Sequence, residues 1–313
     1  MGINVLKGGS RLENLLLLKL NLLIICHRRI DGYVGLYPLD KTWFSGGNMN
    51  EKIDTLAANS PDLFQTYAVV NKVGLLAPFT WVKKGFRDLL SCQFSSMFYG
   101  VAFALMGWTV AFFYGAAYWL TITAMGAFML AGPLIAIGLY ALSRQRERGE
   151  EPHLLPTLSC WRGNMSNLSL FALVVGVVGL IWARASMVVF AVLYDTGLPT
   201  ASDFVNELLS FKNIEFVVSY LVVGAIFASF VFAISVVAVP LMFDQGKDAI
   251  SAMLISLSVV ARNPLAMVVW AALLVLLVGI GFATGFLALV YTAPIAGHAT
   301  WHAYRDLLKA KDS

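Results

Sequence analysis

Residues Asn263–Tyr304 read NPLAMVVWAALLVLLVGIGFATGFLALVYTAPIAGHATWHAY, without a single Asp, Glu, Lys or Arg. As one straight helix these roughly 42 positions would extend about 63 Å, while the hydrocarbon core of a bilayer is about 30 Å thick. One crossing cannot use the whole stretch. Either it folds into a hairpin turning at Gly279–Gly285 (GIGFATG), or it is a single long helix kinked at Pro294. The first choice gives the chain an even number of crossings, the second an odd one.

The segments around it decide between these. Just upstream, Asp244–Arg262 (DQGKDAISAMLISLSVVAR) is too short and polar to span. Its Ile250, Met253, Leu254 and Leu257 mark an amphipathic helix on the membrane face. Before it lie the apolar block Phe216–Phe243, with Pro240 near its end, and the acidic connection Asp195–Glu215. Asn167–Tyr194 is a third apolar block, broken only by Arg184. Ser143–Asn167 carries Arg144, Arg146, Arg148 and Arg162 and marks the cytoplasmic side. Leu89–Ser143 is again free of charge and long enough for two crossings that break at Tyr114-Gly115. Within it Gly126, Ala127, Ala131 and Gly132 offer a small-residue face for close helix approach. Ala77–Leu90 mixes Phe79, Trp81 and Phe86 with Lys83, Lys84 and Arg87, as expected of a helix at headgroup level on the basic side.

Placing the basic segments inside and the acidic one outside leaves Arg305, Lys309 and Lys311 to go inside as well. That requires the hairpin. The expected fold is an all-α, polytopic transmembrane helix bundle of about six spans, with amphipathic interfacial helices on the cytoplasmic side. The spans fall near 95–114, 117–142, 167–192, 216–243, 264–281 and 284–303, within a membrane domain over 77–310. Residues 49–76 are a polar N-terminal segment. Residues 1–48 read as an extension that does not belong to the native chain or is poorly ordered, because Met49 opens an ordinary bacterial amino-terminus. Both termini are expected in the cytoplasm of a bacterial inner membrane.

Composition agrees with lipid as the solvent. The 313 residues are 59% hydrophobic and 13% charged, where soluble domains carry about 25% charged residues. No basic face interleaved with aromatics appears, so nucleic acid is not an expected partner; the bilayer and other membrane proteins are. Cys26, Cys92 and Cys160 are odd in number and form no CxxC pair, which argues against a disulfide framework or a zinc ribbon. No GxSxG, HExxH, Walker loop or strand-linked GxGxxG occurs, so no enzyme and no cofactor is expected. Oligomeric state is not encoded in any motif.

Several segments in order, WVKKGFRDLL, SMFYGVAFAL, AGPLIAIGLYALSRQRERGE, FAISVVAVPLMFDQGKDAISAMLISLSVVARNPLAMVVW and GHATWHAYRDLL, together resemble a family. It is a domain-of-unknown-function family of polytopic membrane proteins found mainly in proteobacteria, sometimes labelled a cytochrome c oxidase subunit. The resemblance covers roughly residues 75–310 and implies an inner-membrane location with no attached activity. Its recurring residues would be Gly85, Arg87, Gly100, Pro133, Arg184, Pro240, Asp244, Ser256, Asn263, Pro264, His298, Trp301, His302 and Arg305. Phe86 stands where the family pattern has Trp. A haem–copper core needs several histidines inside spans. Of the four histidines here, His27 and His153 lie outside them, so an oxidase core is excluded while an accessory or assembly role stays open.

Three sets of residues are candidates for a site. Arg184, the one charge inside a span, would cost about 2.5–3.5 kcal/mol at a helix centre. Against that, the 18 or so residues before it nearly complete a crossing and let it reach the headgroups. His298 and His302 share a helix face at i, i+4, a spacing that can chelate a metal, though only as weak candidates because a third ligand is missing. Asp244 and Arg262 bracket the amphipathic connection and could pair to close it against the bundle. Asn263-Pro264 has the form of a helix start, Asn at the N-cap and Pro at the first position. Arg305 completes a polar set at the inner end. The leading expectation is a scaffold or assembly factor, with a small-molecule or ion transporter and a haem- or metal-binding accessory subunit as rivals.

Overall fold

A computed structural model describes residues 69–116, 118–193 and 213–309, all within one unit spanning residues 61–313. The 1–48 extension, most of the 49–76 segment and most of the acidic connection lie outside the described residues. Ten α-helices are described: α1 (Ala77–Ser91), α2 (Gln93–Ala116), α3 (Tyr118–Glu147), a single turn α4 (Leu154–Thr157), α5 (Met165–Leu193), α6 (Ile214–Ser235), α7 (Ala238–Gln245), α8 (Ala249–Arg262), α9 (Pro264–Ala283) and α10 (Leu289–Leu307). A 3₁₀ turn, Cys160–Asn164, leads into α5. The fold is an all-α helical membrane bundle.

Among the described residues four helical segments are long and apolar enough to cross a membrane: Gln93–Phe113, Leu154–Leu193, Ile214–Gln245 and Pro264–Ala283. The α3 helix, at 30 residues, and α10, at 19, are also long. In α10 the polar side chains face protein rather than lipid, so the helix can be less hydrophobic than its neighbours: Thr292, His298 and Trp301 are all buried.

The opening stretch folds as a hairpin, and its turn has a definite chemistry. The α9 helix ends in a Schellman motif: Phe286 N–H donates to Gly281 O (2.8 Å) and Gly285 N–H to Phe282 O (3.1 Å). Gly285 takes the left-handed conformation this requires (φ 62°). Gly285 is therefore the helix cap, while Gly281 lets α9 approach α10: a side chain there would collide with Leu289. Phe286 also has positive φ (70°), and two contacts from α2 hold it there. Its ring lies where a side chain on Gly107 would be, and Trp108 Nε1–H donates to Gly285 O (2.7 Å).

Three expectations need correction. The apolar block Phe216–Phe243 is not one helix but α6 and α7, broken at Val236–Val237. Ser256 of α8 inserts at the break, donating to Ala233 O (2.8 Å), a recognised cause of helix interruption. Pro240 then sits in the first turn of α7, where its missing N–H removes no helical hydrogen bond. Secondly, the arginine-rich connection begins as helix: α3 runs on to Glu147 and carries Arg144 and Arg146 on ordered turns. Thirdly, Gly132 of the small-residue face on α3 is not a point of close helix approach. Nothing lies within 4 Å of a Cβ built on Gly132, whereas one on Gly100 would lie 2.0 Å from Val290 O and one on Gly85 would lie 2.7 Å from Ala299 N.

The packed core gathers at one end of the bundle, where α1, the C-terminal turns of α3 and α10, and α7–α8 converge. Trp81, Trp270, Trp301 and Tyr304 are its largest members. Trp81 meets Trp270 edge-on at 5.6 Å, and Tyr140 stacks on Trp301 at 6.5 Å. Away from this end, α5, α6 and α9 turn large apolar side chains outward, among them Leu180, Val192, Ile226 and Val275. In lipid such exposure carries no hydrophobic penalty.

A short antiparallel pairing closes this end. Val69–Val70 (β1) pairs with Leu308–Lys309 (β2), Val69 opposite Lys309. The segment that follows β1 is pinned by Asn263, whose Oδ1 accepts from Val73 N–H (2.9 Å) and whose Nδ2 donates to Asn71 O (3.0 Å). Asn263 stands at the N-cap position with Pro264 in the first turn, but its side chain makes no capping bond; it is spent across the interface instead. Asn263→Ala leaves a half-buried donor and acceptor without partners, an expected loss of about 1–2 kcal/mol. Hydrogen exchange at Asn71–Val73 should rise with it, and unchanged protection there would refute the role.

Candidate functional site

The same end holds a buried polar network centred on a residue that sequence reasoning passed over, Asp88. It sits near the end of α1, on the face that also buries Trp81 and Gly85. These positions follow an i, i+4, i+7 pattern, which lays them on one side of a helix. That side packs on α10. The carboxylate accepts from Arg146 (2.7 Å), from Ser143 Oγ (2.7 Å) and from His302 Nε2 (2.8 Å). Two helices, α3 and α10, thus deliver donors to one group on α1.

The network continues inward through His298, which is fully buried. Ser143 Oγ lies 2.7 Å from His298 Nδ1, and Ser96 Oγ 2.8 Å from His298 Nε2. The hydrogen-bond logic assigns the tautomer. Ser143 has one hydroxyl hydrogen and gives it to Asp88, so its oxygen must accept from Nδ1–H; in the neutral ring Nε2 then accepts from Ser96. Cys92 Sγ lies 3.3 Å from Ser96 Oγ. Burial by itself would push the Asp88 carboxyl up. The hydrogen bonds from His302 and Ser143, with the fields of the two histidines, overcome it and hold the group below its usual range.

A second set lies beside the first. Asp244 accepts from Tyr304 OH (2.8 Å) and faces Arg144 (3.6 Å) and Arg305 (3.7 Å). Glu147 accepts from Arg305 Nε (3.0 Å) and Trp301 Nε1 (3.1 Å). Asp306 accepts from Trp81 Nε1 (2.7 Å), with Lys84 at 3.4 Å. Asn164 Nδ2 donates to Met242 O and Lys247 O (3.0 Å each), tying the start of α5 to the loop between α7 and α8.

The structure therefore brings together Asp244, His298, His302 and Arg305, and places Asn263 at the edge of the same core. It separates two other candidates. Arg262 is exposed and does not meet Asp244. The 14-residue α8 puts about 20 Å of helix between them, and Asp244 turns to α3 and α10 instead. Arg184 is exposed on α5 and joins neither network. The histidines do not converge on a common point either: His298 is held between two serines and His302 is turned to Asp88. Among the described residues no group of three or more His, Cys, Asp or Glu is placed to hold a metal ion.

Asp88 was legible in part. It is the lone acid in WVKKGFRDLL, and its register with Trp81 marks it as inward-facing. Ser96 and Ser143 carried no such signal, since hydroxyls in apolar helices usually bond to their own backbone.

No curated protein and no solved structure matches the chain. Residues 120–244, from the start of α3 to the end of α7, match a family model described as "Predicted integral membrane protein (DUF2189)". That description names a location and no activity. With its long apolar helices, the chain is a multi-pass integral membrane protein similar over those residues to this domain-of-unknown-function family.

Proposed function

We propose that the chain is a non-enzymatic scaffold or assembly factor for other membrane complexes. In this reading it crosses a bacterial inner membrane six times, with both termini in the cytoplasm. One observation carries the function: two polar networks at the packed end of the bundle are each closed on themselves. Asp88, Ser143, His298 and Ser96 satisfy each other within the bundle, and Asp244, Tyr304, Arg305 and Glu147 do so at its surface. Networks so closed specify a rigid packing and present no unpartnered group to a substrate.

The topology has its own support. Val69 pairs with Lys309, so the chain enters and leaves the bundle at one end, which an even number of crossings requires. That end exposes Lys83, Arg87, Arg148 and Arg162, the excess expected of a cytoplasmic face. Transport is less well supported, because Arg184 points away from the bundle. A redox subunit would need His298 and His302 released from their serine and aspartate partners.

The deciding experiment is affinity purification from the native membrane in mild detergent. A membrane protein recovered in fixed ratio to this chain, across independent preparations, is the expected result. Recovery of the chain alone, together with substrate flux into liposomes containing it, would defeat the scaffold reading.

A further inference from the structure

We infer that α1 carries a binding site for the phosphodiester headgroup of an anionic glycerophospholipid, built from Lys83 and Arg87 beside Phe86. Arg146 pairs with Asp88, Arg305 with Glu147 and Asp244, Arg144 with Asp244, and Lys84 with Asp306. Lys83 and Arg87 are exposed, and among the described residues no acid lies within ion-pair distance of either. They stand four residues apart, one above the other on the helix.

Their place on the helix circumference says what they meet. One side of α1 is buried against α10 through Trp81, Gly85 and Asp88. The opposite side exposes Phe79, Phe86 and Leu90. At 100° per residue, Lys83 and Arg87 fall between these two sides. A helix docked to protein on one flank and offering aromatic and aliphatic side chains on the other lies along the interface, with its apolar flank in the acyl region. The basic stripe is then at the depth of the lipid phosphates, and two unpaired cations there complement a phosphodiester. Phe86 follows in the apolar flank and fits beside the acyl chains below that phosphate. The inference does not depend on the scaffold reading, since it concerns the lipid contact of α1 alone.

The test uses the full chain purified in detergent and exposed to an equimolar mixture of phosphatidylglycerol and phosphatidylcholine, with retained lipid counted by native mass spectrometry. Wild type should be enriched in phosphatidylglycerol. The double variant Lys83→Gln/Arg87→Gln should lose about tenfold or more of that enrichment, while Lys83→Arg/Arg87→Lys and the loop variant Arg148→Gln keep it. Both glutamines are at exposed sites, and equal thermal midpoints in phosphatidylcholine alone verify that the fold is intact. Equal enrichment in wild type and the double variant would overturn the proposal. So would stabilisation by inorganic phosphate with no preference between the lipids. Crosslinking of Lys83 to a co-purifying acidic protein, with neither lipid retained, would assign the stripe to that protein instead.

Discussion

Gly100→Ala is expected to lower stability by about 3 kcal/mol or more, measured as the unfolding midpoint in mixed micelles. A Cβ at this position would lie 2.0 Å from Val290 O and 2.6 Å from Val290 C, well inside contact distance. The obstacle is backbone on a helix, not the end of a flexible side chain, so it cannot rotate aside. The α2 and α10 helices must separate to admit the methyl group, and overpacking of this sort typically costs 1–3 kcal/mol, occasionally more. Separation also pulls Ser96 from His298, since both lie within about two turns of the clash. Gly132→Ala is the matched comparison, with nothing within 4 Å of its Cβ. It should be neutral, or stabilising by up to about 1 kcal/mol through helix propensity. If the two variants melt alike, close packing of α2 on α10 is not what Gly100 provides.

The second large effect belongs to Asp88. Its removal as Asp88→Ala leaves Arg146 and His302 facing a void and Ser143 without its acceptor. Breaking a buried ion pair on one side costs roughly 3–5 kcal/mol. The Arg146 side chain is 36% exposed and recovers some hydration, which places the expected loss near 3 kcal/mol. The loss has a pH signature. The folded carboxyl titrates below its ordinary value of 3.8. The stability it contributes is fully present above that value and disappears as pH falls through the lower, folded one. Melting midpoints of wild type and Asp88→Asn should therefore differ most at neutral pH and converge as pH drops below about 4. A constant gap down to pH 3 would mean that the charge of Asp88 contributes nothing.

Much of the architecture was legible because lipid imposes long uncharged blocks, and a block's length limits how often it crosses. The turn in Asn263–Tyr304 could be placed for a related reason: only glycine takes the left-handed position of a Schellman cap readily, and GIGFATG supplies it. Close packing was not legible. Gly100 and Gly132 look alike in sequence, and only the partner helix distinguishes a backbone contact from open space. The expected Asp244–Arg262 pair failed on similar grounds. Opposite charges flanking a connection suggest an ion pair, but the connection is a stiff helix that keeps them apart. His298 and His302 lie at the packed end of the bundle. Their partners Ser96, Ser143 and Asp88 come from segments about 155 to 215 residues away, a distance that no local pattern bridges.

The β1–β2 pair bears on the order of assembly. It joins residues 240 positions apart, Val69 and Lys309, so it forms only after the last helix has been made. Until then α1 has neither Trp301 nor His302 to dock against, and Asp88 has no donor from α10. A nascent chain would hold this basic helix at the membrane surface while α2 to α9 insert ahead of it. Completion of α10 then adds Trp301, Tyr304 and His302 and closes the core over α1. Truncation before Leu289 should thus leave the long apolar helices in the membrane, with Asp88 lacking its donor His302 and Trp81 lacking the acceptor Asp306.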